Sequence, residues 1–324
     1  MTIDPGVLDR AAEVIGSAKR IALACHIGPD GDALGSMLGL AIAAENAGKE
    51  VVASFGSPHS MPPSLGYLPA HLLVHPDEFP ESPEVMVVLD AGSPDRLAEL
   101  GSNASDAETV VVIDHHVTNE GFGDVSVVDP GSAATGELVY AILRRLGWEI
   151  TPEVAQCLHT ALVTDTGRFS YANTTPRTLE IASELVAAGA EPAVIGRHVY
   201  EEAPFGYLRA LAVAMGRAEL DEDLRAVSTH ITETDLASLG IDWGDTENLI
   251  DVLRLAVEAD TAVLIKGHDD GSVKVSLRSR GDTDVGGLAA ALGGGGHRLA
   301  AGFSTDGDIE AVREKVLSLV EDYR

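Results

Sequence analysis

The chain has 324 residues, 45% of them hydrophobic, so it is long enough for two domains with packed interiors. Its 51 acidic and 22 basic side chains give a net charge of −29, which argues against an extended basic surface for duplex DNA. No apolar run approaches the roughly 18 residues that span a bilayer, and the first residues lack a secretory pattern. Cys25 and Cys157 are too few for a disulfide framework, so we expect a reduced, cytoplasmic protein away from the membrane.

The first part of the chain alternates short apolar runs with helical stretches. Residues 32–47 carry apolar side chains on one face of a helix that ends before Gly48, and residues 51–55 read as the next strand. This alternation predicts an α/β fold with a doubly wound parallel sheet. The proline-rich stretch 58–83 is predicted to be loop.

Two threonine–proline pairs, at 151–152 and 175–176, each place a capping threonine before a proline and predict the starts of two helices. The first of these helices is expected to end near Val163, with Asp165 just beyond it. The sequence pattern changes after residue 220, and this change favours a second domain. The predicted parts are a first domain at 1–189, a helical linker at 190–220 and a smaller α/β domain at 221–324.

The second domain reads as strands joined by turns. The predicted strands are 224–231, 261–265 and 273–280. Asp269-Asp270-Gly271 predicts a hairpin turn before the last of them. Four consecutive glycines, 293–296, then lead into His297.

Four apolar segments of the first domain each end in carboxylates or imidazoles. The residues that follow these segments are His26, Asp30 and Asp32; Asp90; Asp114, His115 and His116; and Asp165. Ligands collect beyond the carboxyl ends of strands in an open parallel sheet, so we expect these side chains to form one active site. Carboxylate oxygens mixed with imidazole suit Mn²⁺ or Mg²⁺, and the residues are numerous enough for two ions.

Each segment alone also has an ordinary structural explanation. Asp30-Gly31 is a common turn pair, Asp32 could cap the following helix, and an Asp at a strand end such as Asp90 often caps or turns the chain. An arbitrary pair of histidines is more often buried and hydrogen-bonded than catalytic. Four unrelated caps at four segment ends are improbable, so the set as a whole favours the metal site.

Over nearly its whole length the chain resembles a DHH phosphoesterase with a C-terminal DHHA1 domain. The resemblance is carried by His26-Ile-Gly-Pro-Asp30-Gly-Asp32-Ala-Leu-Gly-Ser36, Val-Leu-Asp90, Asp114-His115-His116, Thr164-Asp165-Thr-Gly-Arg-Phe169, Val275-Ser-Leu-Arg-Ser279 and Gly293-Gly-Gly-Gly-His297-Arg-Leu-Ala-Ala-Gly302. Residues 165–176 resemble the subgroup of bifunctional oligoribonucleases and 3′-phosphoadenosine-5′-phosphate phosphatases. Gly28 departs from the family pattern, which often has Asn there, and this puts loop hydrogen bonding in question.

The resemblance implies a role for each residue of the pooled set. One Mn²⁺ would be held by His26, Asp30 and Asp90. The other would be held by Asp32, Asp90, His115 and Asp165, with Asp90 bridging. His116 would contact the scissile phosphate, and Asp114 would orient an imidazole. The resemblance further implies a DHH domain, a helical linker and a DHHA1 domain with the active site in the cleft between the domains, and it implies a homodimer.

The second domain contains a local concentration of basic residues within an acidic chain. Lys274, Arg278, Arg280 and Arg298 lie in sequence around a predicted strand and the glycine run. Backbone N–H groups of a glycine-rich loop can bind an anion, although glycine runs are usually flexible linkers and Arg residues often form a solvated face. The residues expected to bind substrate, together with His116, are Arg278, Ser279, Gly294, Gly295, Gly296, His297 and Arg298. Tyr171 is a candidate for base stacking or for packing.

The expected function is therefore a Mn²⁺-dependent phosphohydrolase that uses a water activated by two cations. Its expected substrates are short single-stranded oligoribonucleotides (nanoRNA), cleaved to mononucleotides, and 3′-phosphoadenosine 5′-phosphate, dephosphorylated to AMP. One alternative keeps the chemistry and acts on cyclic or linear di-adenylate. A second alternative, from another class, is a nucleotide-binding regulator without turnover. The remaining histidines are expected to be structural, with His159 the one to check because it lies six residues before Asp165.

Overall fold

The computed structural model describes residues 4–246 and 248–324. The chain forms two compact units, Met1–Glu202 and Ala203–Arg324, and their boundary falls within the stretch predicted as a linker. Within the described ranges, no helix combines the length and the apolar character needed to cross a membrane. Each unit is built around its own sheet.

The first unit is an alternating α/β structure. Its strands are β1 Arg20–Cys25, β2 Glu50–Phe55, β3 Val85–Leu89, β4 Val110–Asp114 and β5 Val125–Val128. Its helices are α1 Pro5–Ser17, α2 Gly31–Asn46, α3 Leu100–Ser105, α4 Thr135–Leu146, α5 Pro152–Asp165, α6 Pro176–Ala187 and α7 Pro192–Ile195, followed by a π-helix at Gly196–Glu201. Short 3₁₀ turns lie at Pro63–Leu65, Pro76–Glu78 and Pro94–Leu97.

The sheet of this unit is entirely parallel, as the sequence predicts. Among the described residues it has five strands in the order β2-β1-β3-β4-β5. Strands β3 and β4 are buried along their whole length, as expected for a parallel sheet covered on both faces. The register aligns Cys25 with Leu89 and Leu89 with Ile113. The residues that follow these three therefore start from the same edge of the sheet.

The helix starts agree with the predictions from sequence. Asp30 caps α2, and Thr151 and Thr175 cap α5 and α6, each before a proline. Helix α5 continues to Asp165, so this residue lies in the last helical turn and not after a helix that ends at Val163.

Helix α2 is almost completely buried and packs closely on α5. A Cβ atom on Gly35 would lie 2.4 Å from the carbonyl oxygen of Cys157, so only glycine permits this approach. The close contact brings the start of α2, which carries Asp32, near the helix that carries Asp165. The packing of two apolar helices thus brings two carboxylates of the predicted site together.

The second unit contains a mixed sheet. Its strands are β6 Glu219–Asp221, β7 Ala226–Thr232, β8 Thr261–Gly267, β9 Ser272–Ser279, β10 Gly295–His297 and β11 Ala300–Asp306. Its helices are α8 Phe205–Gly216, α9 Glu233–Leu239, α10 Leu249–Leu253, α11 Val285–Ala291 and α12 Ile309–Val320. The strand order within the described part is β10-β11-β9-β8-β7-β6, and β7 and β8 are the parallel pair.

The glycine run of the second unit is ordered structure and not a flexible linker. Residues Gly295–His297 form β10 and pair with β11 in antiparallel register. Gly294 lies so close to the next strand that a Cβ atom there would be 2.2 Å from the carbonyl oxygen of Gly302. The absence of side chains at these positions lets two backbones approach closely.

Candidate metal centre

Three adjacent strands deliver the central residues of the candidate site. His26 follows β1, Asp90 follows β3, and Asp114 is the last residue of β4. Asp90 has a φ of +55°, a left-handed conformation that Asp and Asn tolerate better than other residues with a side chain. Its backbone N–H still donates to the carbonyl of Ile113 at 3.0 Å, so the left-handed residue remains tied to the neighbouring strand.

Asp90 lies at the centre of the cluster and faces three imidazoles. Its Oδ2 is 3.6 Å from Nε2 of His26. Its Oδ1 is 3.7 Å from Nε2 of His115 and 3.6 Å from Nδ1 of His116. The two oxygens of one carboxylate therefore face different histidines, as a residue shared between two cations would.

The other carboxylates divide between the two sides of Asp90. On one side, Oδ1 of Asp30 is 3.9 Å from Nε2 of His26. On the other, Nε2 of His115 is 3.7 Å from Oδ2 of Asp32 and 3.5 Å from Oδ2 of Asp165. The structure thus brings together two sets that share Asp90, and in each of these sets three potential ligand atoms lie within 4.8 Å of one another: His26, Asp30 and Asp90; and Asp32, Asp90 and His115.

Asp32 is held in place by the N-terminus of another helix. Its carboxylate accepts hydrogen bonds from the backbone N–H groups of Thr135 at 2.7 Å and Gly136 at 3.0 Å, at the start of α4. The Thr135 hydroxyl donates to Oδ1 of Asp90 at 2.9 Å. The structural alternative, in which Asp32 caps its own helix, is incorrect because Asp30 accepts from the N–H groups of Asp32 and Ala33.

Backbone and side-chain acceptors orient the two adjacent histidines. Nδ1 of His115 lies 3.3 Å from the carbonyl oxygen of Ser132, an arrangement that favours a proton on Nδ1 and turns Nε2 toward the carboxylates. Nδ1 of His116 lies 2.7 Å from Oδ1 of Asp114. Asp114 is fully buried and accepts a further hydrogen bond from Nδ2 of Asn119 at 2.6 Å. Sequence reasoning missed Ser132, Asn119 and Thr135.

Burial and mutual repulsion shift the ionisation of the cluster. Burial, helped by the charges of nearby carboxylates, raises the pKa of Asp165 to about 7 and raises the pKa of Asp32 well above its usual range. Burial opposes protonation of His26 and His115, but the surrounding carboxylates outweigh it and raise the pKa of each to about 9. The cluster therefore attracts positive charge, and without cations protons supply it.

The donor set fits divalent cations. Asp32 and Asp90 are only 1% and 2% exposed. In residues 4–246 and 248–324, neither of them nor Asp165 forms an ion pair with a lysine or arginine. Buried carboxylates without basic partners are costly unless a cation balances them. Hard oxygen ligands combined with imidazole match the preference of Mn²⁺ and Mg²⁺.

The ring of His26 has a second neighbour that the sequence did not indicate. Its Nδ1 lies 2.9 Å from the carbonyl oxygen of Ile27 and 3.2 Å from Nη2 of Arg96. Arg96 belongs to the 3₁₀ turn Pro94–Leu97 after β3. A guanidinium thus lies on the side of the imidazole opposite the carboxylates.

Two residues singled out in the sequence, Gly28 and His159, have simple explanations. Gly28 has a φ of +60°, the left-handed region that Gly and Asn both adopt, so this turn accepts either residue. His159 is buried in α5 and makes an edge contact with Phe169, with ring centroids 6.0 Å apart. His159 therefore packs in the interior of the first unit.

The predicted substrate-binding residues of the second unit lie around β9, β10 and β11. Arg278 and His297 pair with Ala300 from its two sides, so they occupy one level of the sheet. Oδ1 of Asp251 is 3.9 Å from Nε of Arg278. The glycines 294–296 and Arg298 belong to β10 and its flanks.

Two of the candidate side chains are engaged in packing. The hydroxyl of Ser279 is buried and donates to Oδ2 of Asp260 at 3.1 Å. In the first unit, the ring of Tyr171 lies against the backbone of Gly167, where a Cβ atom would be 2.3 Å from the ring. Tyr171 therefore holds the turn that follows Asp165.

Comparison with known proteins agrees with this architecture. Residues 20–162 match the DHH family, N-terminal domain, and residues 228–323 match the DHHA1 domain. The chain is 33% identical over 319 residues to the bifunctional oligoribonuclease and PAP phosphatase NrnA of Thermus thermophilus, covering 96% of this chain and 92% of that protein. The crystal structure of an exopolyphosphatase-related protein from Bacteroides fragilis superimposes with a TM-score of 0.89 at 27% identity, covering 98% of this chain and 97% of that one.

A further relative is longer. The cyclic-di-AMP phosphodiesterase GdpP of Geobacillus thermodenitrificans is 26% identical over 337 residues, covering 96% of this chain but only 48% of that protein. The chain belongs to the DHH family of phosphoesterases, with a DHH domain followed by a DHHA1 domain. As such it is a hydrolase.

Proposed function

We propose that the protein is a Mn²⁺-dependent phosphohydrolase that cleaves short oligoribonucleotides to mononucleotides and converts 3′-phosphoadenosine 5′-phosphate to AMP. The cluster of buried carboxylates and imidazoles around Asp90 carries this proposal, because it fits cations that act on a phosphate. The likeness to an NrnA protein over 96% of the chain supports the choice of substrates.

The proposed ligands form two sets around the shared Asp90. One cation would be held by His26, Asp30 and Asp90, and the other by Asp32, Asp90, His115 and Asp165. When bound, divalent cations neutralise phosphate charge and lower the pKa of an attacking water. The ligands are held in place beforehand, because Asp32 accepts from the start of α4 and Asp90 accepts from Thr135.

His116 is the proposed contact to the phosphate that is cleaved. The buried Asp114 lies 2.7 Å from its Nδ1 and fixes the orientation of the ring. Burial opposes charge on this imidazole, but the hydrogen bond to Asp114 outweighs it and raises the pKa of His116. An imidazole that is held in one orientation and whose protonated form is favoured in this way stabilises charge that develops on phosphate oxygens.

The second unit is proposed to bind the nucleotide. Arg278 supplies a guanidinium, and His297 lies at the same level of the sheet. The close-packed glycines 294–296 present backbone N–H groups without side chains, which suits an anion. Arg298 and the backbone of Ser279 complete the proposed set.

The test is product release from three substrates measured in parallel with Mn²⁺ and with chelator. The substrates are a labelled RNA ladder of two to five nucleotides, 3′-phosphoadenosine 5′-phosphate, and cyclic di-adenylate. We expect metal-dependent release of mononucleotides from the RNAs and of AMP from the second substrate. Equal turnover in chelator would contradict the metal dependence. Failure to hydrolyse both the RNAs and 3′-phosphoadenosine 5′-phosphate would contradict the function.

A second candidate activity is hydrolysis of cyclic or linear di-adenylate. The likeness to GdpP over 96% of this chain favours it, although the chain spans about half the length of that relative. Faster hydrolysis of cyclic di-adenylate than of the other two substrates would rank this activity first. Stoichiometric binding of nucleotide without any turnover would instead support a regulator.

We also propose a cytoplasmic homodimer. Cys25 and Cys157 are buried free thiols, which suits a reducing compartment. Phe205 and Leu208 of α8 are exposed apolar side chains of the kind found at subunit contacts. Light scattering of the purified protein tests the assembly, and a monomeric mass at micromolar concentration would contradict it.

A further inference from the structure

Arg96 lies beside the candidate metal centre but not among its proposed ligands. Its Nη2 is 3.2 Å from Nδ1 of His26, whose other ring nitrogen faces Asp30 and Asp90. The side chain is exposed. An exposed guanidinium therefore lies one imidazole ring away from the carboxylate cluster.

The backbone places Arg96 there by specific contacts. The N–H of Ile27 donates to the carbonyl of Arg96 at 2.9 Å, which ties the turn after β3 to the residue next to His26. Leu97 is fully buried, and Ala98 has a left-handed φ of +49° that ends the turn. A buried anchor and a left-handed end hold the position of this turn, while the guanidinium remains in solvent.

The ring of His26 does not hold the guanidinium of Arg96 in place. Nδ1 of His26 lies 2.9 Å from the carbonyl oxygen of Ile27, closer than the 3.2 Å that separates it from Nη2 of Arg96. A ring that donates its Nδ1–H to this carbonyl has no lone pair on Nδ1 with which to accept a hydrogen bond from the guanidinium.

Within the described part of the chain, Arg96 also lacks an acidic partner that would hold it. Among the described residues, no carboxylate lies within ion-pair distance of its guanidinium, although the chain has 51 acidic side chains. Arg20 and Arg145, by contrast, are paired with Glu84 and Asp9. A guanidinium presents planar donors that match phosphate oxygens.

We propose that Arg96 binds a phosphate group of the substrate in the cation-loaded protein. The assignment rests on the proposed phosphohydrolase function and adds a cationic contact from the first unit to it. Arg96 donates N–H groups to phosphate oxygens, and its anchored turn keeps it at the edge of the centre. It takes no part in holding the cations.

The experiment compares Arg96→Gln, Arg96→Lys and a matched control, Arg20→Gln. Arg20 begins the strand that ends beside His26, and its side chain is 68% exposed at the far end of that strand. Calorimetry measures Mn²⁺ affinity first, and then inorganic phosphate affinity at saturating Mn²⁺. Steady-state kinetics with 3′-phosphoadenosine 5′-phosphate gives kcat and KM separately.

We expect the phosphate dissociation constant and KM of Arg96→Gln to rise about 10- to 100-fold, the range for losing a charged hydrogen bond. Mn²⁺ affinity and kcat should stay within about twofold of wild type. Arg96→Lys should recover part of the loss because it keeps the charge but not the planar donors. Arg20→Gln should match wild type in all four quantities.

Unchanged phosphate affinity in Arg96→Gln would overturn the assignment. A parallel fall in Mn²⁺ affinity would also overturn it, since Arg96 would then act by supporting His26. An equal loss of phosphate affinity in Arg20→Gln would show that the effect comes from the overall charge of the protein and not from Arg96 itself. Phosphate binding needs no turnover, so a wild-type protein that hydrolyses nothing contradicts the proposed function while leaving this test intact.

Discussion

Both units bury carboxylates, but they satisfy them in opposite ways. In the second unit, Asp260 is 3% exposed and accepts hydrogen bonds from the N–H of Thr283 at 2.9 Å, the N–H of Asp282 at 3.1 Å and the hydroxyl of Ser279. In the first unit, the equally buried Asp90 faces other carboxylates and imidazoles. The donors that satisfy Asp260 belong to its own unit, whereas the cluster around Asp90 requires positive charge from outside.

The pKa values show the same contrast. Burial works to raise the pKa of Asp260, but the hydrogen bonds from Asp282, Thr283 and Ser279 outweigh it and lower the pKa. Burial raises the pKa of Asp165 to about 7, with the charges of Asp30 and Asp90 adding to it. Burial thus accompanies a structural carboxylate where donors surround it and a functional one where acids meet.

The largest expected effect is that of Asp90→Asn, which removes the shared ligand. We expect kcat with Mn²⁺ to fall about a thousandfold or more, because both cations lose a carboxylate. Asn tolerates the left-handed backbone, so the fold should persist. Asp260→Asn is the matched control, a buried carboxylate of the other unit that should keep its kcat. Retained activity in Asp90→Asn would contradict the proposed difference between Asp90 and Asp260.

The next effect is stabilisation by cations, and it should appear in the first unit. A cation at 100 times its dissociation constant stabilises the state that binds it by about 2.7 kcal/mol. The chain contains two tryptophans, Trp148 in the first unit and Trp243 in the second. Trp243→Phe and Trp148→Phe variants therefore report on each unit separately by fluorescence. Mn²⁺ should raise the Tm seen by Trp148, and a shift seen only by Trp243 would contradict the site.

A smaller effect is expected for the stability of Asp260→Asn. An amide cannot accept all three hydrogen bonds, so the free energy of unfolding should fall by about 1–3 kcal/mol. Urea denaturation followed through Trp243 measures it. The stabilisation by Mn²⁺ should remain unchanged, and its loss would show that the two buried regions are not independent.

The smallest effect is the slope of stability with pH in chelator. Asp165 has a folded pKa of about 7, above its unfolded value, so its contribution is present at low pH and is lost as pH rises from about 4 to 7. His26 and His115 have folded pKa values of about 9, so their contribution is present below about 6.5 and is lost as pH rises toward 9.

The two tryptophan probes should therefore show different slopes. Unfolding seen by Trp148 should lose stability with rising pH, by at most about 1.4 kcal/mol per pH unit and proton. The lowered pKa of Asp260 contributes stability above its unfolded value that is lost as pH falls, so Trp243 should show the reverse at acid pH. Asp165→Asn should flatten the slope of Trp148 between pH 4 and 7. Identical slopes from both probes would contradict the contrast.

The fold of the first unit and the set of chemical residues were accessible from sequence because both are local signals. Apolar runs followed at once by His26, Asp90 or Asp114 mark the carboxyl ends of strands, and the threonine–proline pairs mark helix starts. The end of α5 was predicted two residues too early, because the helix continues to Asp165 past its last apolar position, Val163.

The supporting residues were not accessible because their partners lie far away in the chain. Thr135 is 103 residues from Asp32 and 45 from Asp90, and nothing in its neighbourhood indicates either contact. Arg96 reads as an ordinary basic residue of a turn until His26, 70 residues earlier, is placed beside it. Long-range pairing of small polar groups leaves no periodic trace in sequence.

Ser279 illustrates a different limit: the alternation of Val273, Val275 and Leu277 assigns its position to the buried face, but the sequence does not show which partner a hydroxyl there would meet. Successive side chains of β9 point to opposite faces, and Ser279 is buried where Arg278 is partly exposed. The serine hydroxyl therefore reaches Asp260. The motif Val275-Ser-Leu-Arg-Ser279 therefore has some side chains in the interior and others at the surface.

The bond between Asp32 and the start of α4 has a consequence for descent. Asp32 caps a helix as well as facing the cluster, whereas the carboxylate of Asp165 has, in the part of the chain that the structure describes, the imidazole of His115 as its close partner. In a lineage that stopped using its cations, the start of α4 would still require a hydrogen-bond acceptor at position 32. Asp165 would drift first, so its loss beside a retained acceptor at position 32 is the mark of a descendant that has kept the scaffold and abandoned the chemistry.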